Sequence, residues 1–342
     1  MFESAELGHE VSKEIYDAEV PKLREALLDA QYDLRAANDF PVLVIIAGIE
    51  TAGKSETVQT LNEWMDPRFI HTHGFLLPTG EEAERPPMYR FWRALPPNGS
   101  VGIFFGSWYS LPLVSRVLGM TDDDALHRSV AEIRHLERML HNEGVLILKF
   151  WLHVTEREQR KRLRRLAKDP DTRWRVTKAH ELLAEHYDET VAVAETVIRD
   201  TSTGEAPWIV VDGFDHRHRT LTVGKILLEA MRSRLDRPGK VELVTAAPVI
   251  AQTDNVKLLR DLDLSQALTK DAYRSELEKY QQRFGRAVRS KKFRKRSLIL
   301  AFEGSDAAGK GGAIRRVTGA LDARLYRIVP VAAPSEEERA QP

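Results

Sequence analysis

Read for its apolar positions, the chain alternates short unbroken hydrophobic runs with longer stretches of helical spacing. Ile15, Val20, Leu23, Leu27 and Leu34 fall on one face within residues 12–38, which predicts a helix closing before Pro41. PVLVIIAG (41–48) follows as a buried strand, then a glycine-rich turn, then a helix through Trp64 that stops at Asp66-Pro67. Further strands are expected at FIHTHGFLL (69–77), SVGIFFGSWY (100–109, after the turn Pro-Pro-Asn-Gly), VLILKFWLHV (145–154) and PWIVVDG (207–213). Between them lie an acid-capped amphipathic helix over 121–142, a long polar helical stretch over 155–200, and a closing helix over 218–234. Strands that are apolar along their whole length and separated by helices read as a parallel sheet covered on both faces. The expected architecture is therefore α/β, with a parallel five-stranded sheet and helices on both faces.

The same pattern begins again near the C-terminal end. SKEIYDAEVPKLREALL (12–28) is echoed by TKDAYRSELEKYQQRF (269–284), and GIETAGKS (48–55) by GSDAAGKG (304–311). Gly48 and Gly304 stand 256 residues apart (304 − 48), and at that offset Asp66 meets Asp322, Arg68 meets Arg324 and Pro86 meets Pro342. This is an internal duplication whose second copy is incomplete. It divides the chain into a first domain over 1–240, a linker over 241–263 and the start of a second domain over 264–342. The second copy stops before three of its five strands, so the expectation is a protein truncated from about 500 residues, roughly two such repeats.

Both loops carry phosphate chemistry. GIETAGKS fits G-x-x-x-x-G-K-[ST] between a strand and a helix, the context in which backbone amides and a helix N-terminus cradle phosphate and a lysine neutralises it. Gly48, Glu50, Gly53, Lys54 and Ser55 form this first loop. The second offers Gly304, Gly309, Lys310 and Gly311, with Gly311 replacing the hydroxyl that ordinarily ligates magnesium, and Asp306 available as a metal carboxylate. Arg315 and Arg316 follow on the helix, suited to a long anion lying along it; Gln59 and Thr60 stand there in the first copy. The first copy also places Glu50 opposite Asp306 and Glu56 opposite Gly312, and its third strand ends Phe105-Gly106 with no carboxylate. It keeps a phosphate cradle and lacks metal machinery. Between the fourth and fifth strands, EREQRKRLRRLAK carries Arg157, Arg160 and Arg164, candidates for a helical lid closing over phosphates as in P-loop kinase-like folds. A second basic run, Arg286 to Arg296, precedes the second loop and is read as lining an anion path.

Composition narrows the partners. Lys+Arg and Asp+Glu both total 51, so no global field draws the chain to nucleic acid or membrane, and anion binding falls to local clusters. There is no cysteine, no signal-peptide pattern at the N-terminus and no apolar run long enough to span a bilayer, and a cytoplasmic setting is expected.

The segment EGSDAAGKGGAIRRV, together with YRFW (89–92), SWY (107–109) and KFWLHV (149–154), resembles the polyphosphate kinase 2 family, and the duplicated layout resembles its two-domain polyphosphate:AMP phosphotransferases. That resemblance implies transfer of a terminal phosphoryl group from inorganic polyphosphate to AMP, giving ADP, with Mg2+. It assigns catalysis to Asp306 and Lys310, metal binding to Asp306, and polyphosphate binding to the loop glycines with Arg315 and Arg316. The first copy is then a degenerate, structural partner, and the 342-residue chain as given is expected to be inactive. The partners expected are polyphosphate and AMP/ADP, with no nucleic acid and no membrane; a homo-oligomer stays open. The alternatives are an ATP-dependent nucleotide or nucleoside kinase of the thymidylate-kinase type, and a non-catalytic phosphate-binding or dimerisation module.

Overall fold

The structure, a computed structural model, describes all residues except 237–266, 294–295, 305–307 and 331–342. The expected 241–263 linker and the loop carboxylate Asp306 lie outside the described residues. The chain forms two compact units, one of Met1–Arg237 with Ala301–Pro342 and one of Pro238–Leu300.

In the first unit, α1 (Lys13–Ala37) starts where the Ser12 hydroxyl accepts from the Ile15 amide at 3.3 Å and ends at Asn38, left-handed with φ 52°. There follow β1 (Val42–Gly48), α2 (Lys54–Trp64), β2 (Ile70–Gly74), α3 (Tyr89–Trp92), β3 (Val101–Phe105), α4 (Ser110–Val117) and α5 (Asp123–Asn142). Then come β4 (Leu146–His153), α6 (Glu156–Lys168), α7 (Lys178–Glu185), α8 (Tyr187–Thr201), β5 (Trp208–Asp212) and α9 (His216–Leu235). The five strands are all parallel in the order β2-β3-β1-β4-β5. β1 lies at the centre, its Val42 to Ile46 at most 1% exposed, which is why it reads as an unbroken apolar run.

Several boundaries differ from the sequence expectation. β2 ends at Gly74, and β3 ends at Phe105, where Gly106 turns the chain out of the sheet with φ 75°. SWY then leads into α4, a short helix not anticipated from the sequence, with Pro112 in its first turn. The 155–200 stretch breaks into three helices, with a 3-10 turn at Arg173–Arg175 after Pro170.

In the second unit, α10 (Lys270–Arg289) is capped by Thr269 as α1 is by Ser12, an offset of 257 (269 − 12) rather than 256. The segment 298–304 was expected to be a strand like β1, and it is not one. Ile299 is 89% exposed, whereas its counterpart Leu43 is 0% exposed. A central parallel strand needs a hydrogen-bonded neighbour on each side, and among the described residues no strand pairs with 298–304.

The rest of the second copy that is described, α11 (Lys310–Thr318) and a 3-10 turn at Ala323–Leu325, packs on the first repeat by reciprocal contacts. The Gln59 amide donates to the Leu321 carbonyl at 2.7 Å, and the Arg315 guanidinium donates to the Met65 carbonyl. Gln59 with Arg315, and Met65 with Leu321, are mates at the 256-residue offset. Each copy thus gives the same donor position to the same acceptor position of the other, the signature of an isologous contact.

Beneath the sheet a charged cluster is fully enclosed. Lys149 (0% exposed) donates to Glu137 at 2.7 Å, to the Tyr109 hydroxyl at 3.1 Å and to the Thr201 carbonyl at 2.9 Å. Glu137 also accepts from Trp108 Nε1 at 3.1 Å and Tyr109 at 2.6 Å, so the SWY segment is bolted to β4. Removing one charge strands the other in the core. Lys149→Met is therefore expected to cost about 3–5 kcal/mol in urea unfolding. The double variant Lys149→Met/Glu137→Gln, which removes both charges and keeps the acceptor for Trp108 and Tyr109, should recover at least about half of that loss.

Candidate functional site

The first loop is shaped by two glycines at the carboxyl edge of the sheet. Gly48 ends β1 with φ 141°, and a Cβ there would overlap the Leu152 carbonyl oxygen, which accepts from the Ile49 amide at 2.9 Å. Gly53, at φ 97°, opens α2 and lies so close to the Arg219 guanidinium that a side chain has no room. Lys54 curls back over the loop, donating to the carbonyls of Gly48 at 2.8 Å and Ile49 at 3.3 Å and to the Glu50 carboxylate at 3.0 Å. Ser55 follows on α2 and lines the same cavity.

The second loop keeps this frame where it is described. Gly304 has φ 153°, Gly309 caps α11 with φ 86°, and Lys310 donates to the Gly304 carbonyl at 2.7 Å. Gly311 sits in the first turn of α11 and Arg316 donates to the Gly312 carbonyl at 2.8 Å. Asp306 is outside the described residues. The basic run from Arg286 covers the end of α10 and the turn after it, with 294–295 not described.

The first loop opens onto a cavity of ≈ 540 Å³ bounded by the carboxyl ends of β1, β3 and β4, by α4, and by α6 and α7. Its acidic groups are each held by a cation. Burial alone raises the Glu50 carboxyl, but the Lys54 ammonium and His180, 3.4 Å away, outweigh it and bring the group below the ordinary range. Glu56 pairs with Arg219, which is 1% exposed and also donates to the Thr57 hydroxyl and the Gly213 carbonyl, each at 3.0 Å. Asp322 pairs with Arg324 at 2.9 Å, and Arg324 lies over the Phe105 ring, its guanidinium carbon 5.1 Å from the centroid. Phe105 occupies the strand end where a metal carboxylate was sought, and no cluster of three or more metal-ligating side chains occurs among the described residues. The first cleft does not fit a magnesium ion.

The structure sorts the lid arginines differently from the sequence reading. Arg157, Arg160 and Arg164 are exposed and stand off the cavity wall, and Arg160 pairs with Glu156 at 2.5 Å. The face turned inward carries Gln159, Arg162, Leu163, Arg165 and Leu166. Arg162 clamps the helix to the loop, donating to Thr51 O at 3.0 Å, Gly213 O at 3.1 Å, Phe214 O at 2.5 Å and Glu158 at 2.8 Å. Leu163 and Leu166, three apart, mark this face in the sequence, with Arg162 and Arg165 each standing immediately before one of them. His180, Arg219 and Arg324 had no sequence signal, since each reaches the loop from a distant element.

The polyphosphate kinase 2 family profile matches residues 10–238 and 267–342. A polyphosphate:AMP phosphotransferase of Pseudomonas aeruginosa is 51% identical over 343 aligned positions, covering 100% of this chain and 69% of that protein. One from Pseudomonas syringae pv. tomato is 46% identical, with the same 100% and 69% coverage. The solved structure of polyphosphate kinase 2 from Arthrobacter aurescens aligns with a TM-score of 0.64 at 30% identity, covering 71% of this chain and 87% of that one. The fold is P-loop kinase-like, as the loop and strand order imply. No described helix is long and apolar enough to cross a membrane.

Arg162 is the bolt between α6 and the loop. Arg162→Ala removes several charge-assisted hydrogen bonds, and hydrogen exchange of the α6 amides is expected to quicken at least about tenfold while β4 stays protected. Unchanged exchange in α6 would show the clamp to be without effect.

Proposed function

The chain belongs to the polyphosphate kinase 2 family, and on that premise we propose that it serves transfer of the terminal phosphoryl group of inorganic polyphosphate to AMP, giving ADP. The relatives named for that reaction are similar over the whole of this chain. We divide the work between the repeats, with the first a non-catalytic partner and the second the catalytic copy. One observation carries the division. The third strand of the first repeat ends in Phe105 beneath Arg324, and every carboxylate of its cleft is already paired with a cation.

In the second repeat the loop amides and Lys310 hold the phosphoryl group to be moved, without reorganisation at the moment of transfer. Arg316 and the remaining N–H groups of Arg315, whose Nε is buried without a partner, take the polyphosphate oxygens. Asp306 would hold Mg2+, which would supply charge neutralisation. A cytoplasmic setting suits these substrates.

The test uses AMP, long-chain polyphosphate and Mg2+ without ATP, with ADP read by chromatography. The 342-residue chain should form no ADP above background, since neither loop has a strand-end carboxylate within it. Extended with the remaining second repeat of the Pseudomonas aeruginosa relative, it should form ADP. In that form Lys310→Ala should lower the rate at least about 100-fold and Lys54→Ala less than about threefold. A requirement for ATP would favour the nucleotide-kinase alternative, and turnover by the 342 residues alone would overturn the division of labour.

A further inference from the structure

The cleft of the first repeat shows no cluster of three or more metal-ligating side chains among the described residues, yet groups in its wall are buried without a partner. Gln159 lies on its wall in the first turn of α6 at 2% exposure, and its side-chain carbonyl oxygen is buried without a hydrogen-bond partner among the described residues. Trp151, on β4 in the same wall and 4% exposed, buries its indole N–H without a partner. An unmatched buried donor or acceptor costs about 1–3 kcal/mol each, so these groups are an outlay that a bound molecule would offset. The walls beside them are apolar, from Leu113, Val114, Leu163 and Leu183. An amide presenting an adjacent donor and acceptor is the complement of a nucleobase edge such as that of adenine.

The charges say where the phosphate goes and how much of it there is. Lys54 is already engaged by Glu50 and Arg219 by Glu56, so these cations of the loop are spent on carboxylates rather than open to a polyanionic chain. Arg165 and Arg175 line the same cavity, are exposed, and pair with no carboxylate among the described residues. They suit a ligand carrying a single phosphate. A cavity of ≈ 540 Å³ has room for a nucleotide and is within the range of ordinary small-molecule sites.

We propose that the first repeat's cleft is a non-catalytic site for a nucleoside monophosphate, its base held by Gln159 and Trp151 among the apolar walls and its phosphate by Arg165 and Arg175. The site needs no metal, and it stands whether or not the second repeat transfers phosphate. Its wall includes Asp322 and Arg324, so residues of the second copy complete it.

The experiment is calorimetric titration of the 342-residue chain in EDTA with AMP, ribose 5-phosphate and tripolyphosphate. AMP is expected to bind one site per chain, at least about tenfold tighter than ribose 5-phosphate, and tripolyphosphate should not displace it. Arg165→Ala should weaken AMP by about three- to tenfold without touching the core, while Arg138→Ala, which removes an exposed charge of α5, should leave it unchanged. Gln159→Met keeps the volume and removes the unpartnered carbonyl. It should weaken AMP at least about tenfold and also melt at a higher temperature than the parent chain without ligand. No AMP binding in EDTA, full displacement by tripolyphosphate, or AMP affinity retained in Gln159→Met would each overturn the proposal.

Discussion

A parallel strand at the centre of a sheet must be hydrogen-bonded along both edges, and the rest of this protein follows from where that requirement is met. β1 meets it, with β3 on one side and β4 on the other in register from Val42 to Ile46. The close approach of Gly48 to Leu152 follows from that pairing, and the loop that begins there lies at the carboxyl edge of the sheet. In the second copy the same apolar residues have no such neighbours, and Ile299 stays in solvent where Leu43 is enclosed. Yet Gly304, Gly309 and Lys310 adopt the loop's geometry without the strand. The turn is encoded by its glycines and its helix; the strand is encoded by its partners.

Charge tells the two loops apart more sharply than backbone does. Each carboxylate facing the first cleft has a cation set against it: Lys54 against Glu50 and Arg219 against Glu56 in the first repeat, and Arg324 against Asp322 from the second copy. Such pairing lowers the cost of enclosing charge and removes the open ligand positions a metal needs. The first cleft is thus a phosphate cradle whose carboxylates are paired with cations, closed in part by residues of the second copy. The mutual contacts of Gln59 with Leu321 and of Arg315 with Met65 show that the duplication preserved the surface between the copies as well as the fold of each.

The sheet was legible because five continuous apolar runs separated by helical spacing allow little besides a covered parallel sheet. Strand ends were less so: Gly106 and the SWY segment leave the sheet through a buried ion pair between Lys149 and Glu137 that no local pattern announces. The basic helix lies between β4 and β5, as its place in the sequence implied, but abundance of arginine does not give helical phase. Arg157, Arg160 and Arg164 face solvent, and Arg162 and Arg165 face the cleft.

By itself the sequence determined the repeat, the two glycine-rich loops, the five strands of the first repeat and the absence of a carboxylate at Phe105, since each is a matter of residue identity and spacing. Only the tertiary structure decided which cations neutralise the loop carboxylates, which face of α6 looks inward, and that residues 298–304 do not form a strand. Those outcomes depend on groups brought together from far along the chain, as Arg219 is to Glu56 and Arg324 to Phe105, and on neighbours that a strand requires and cannot itself provide.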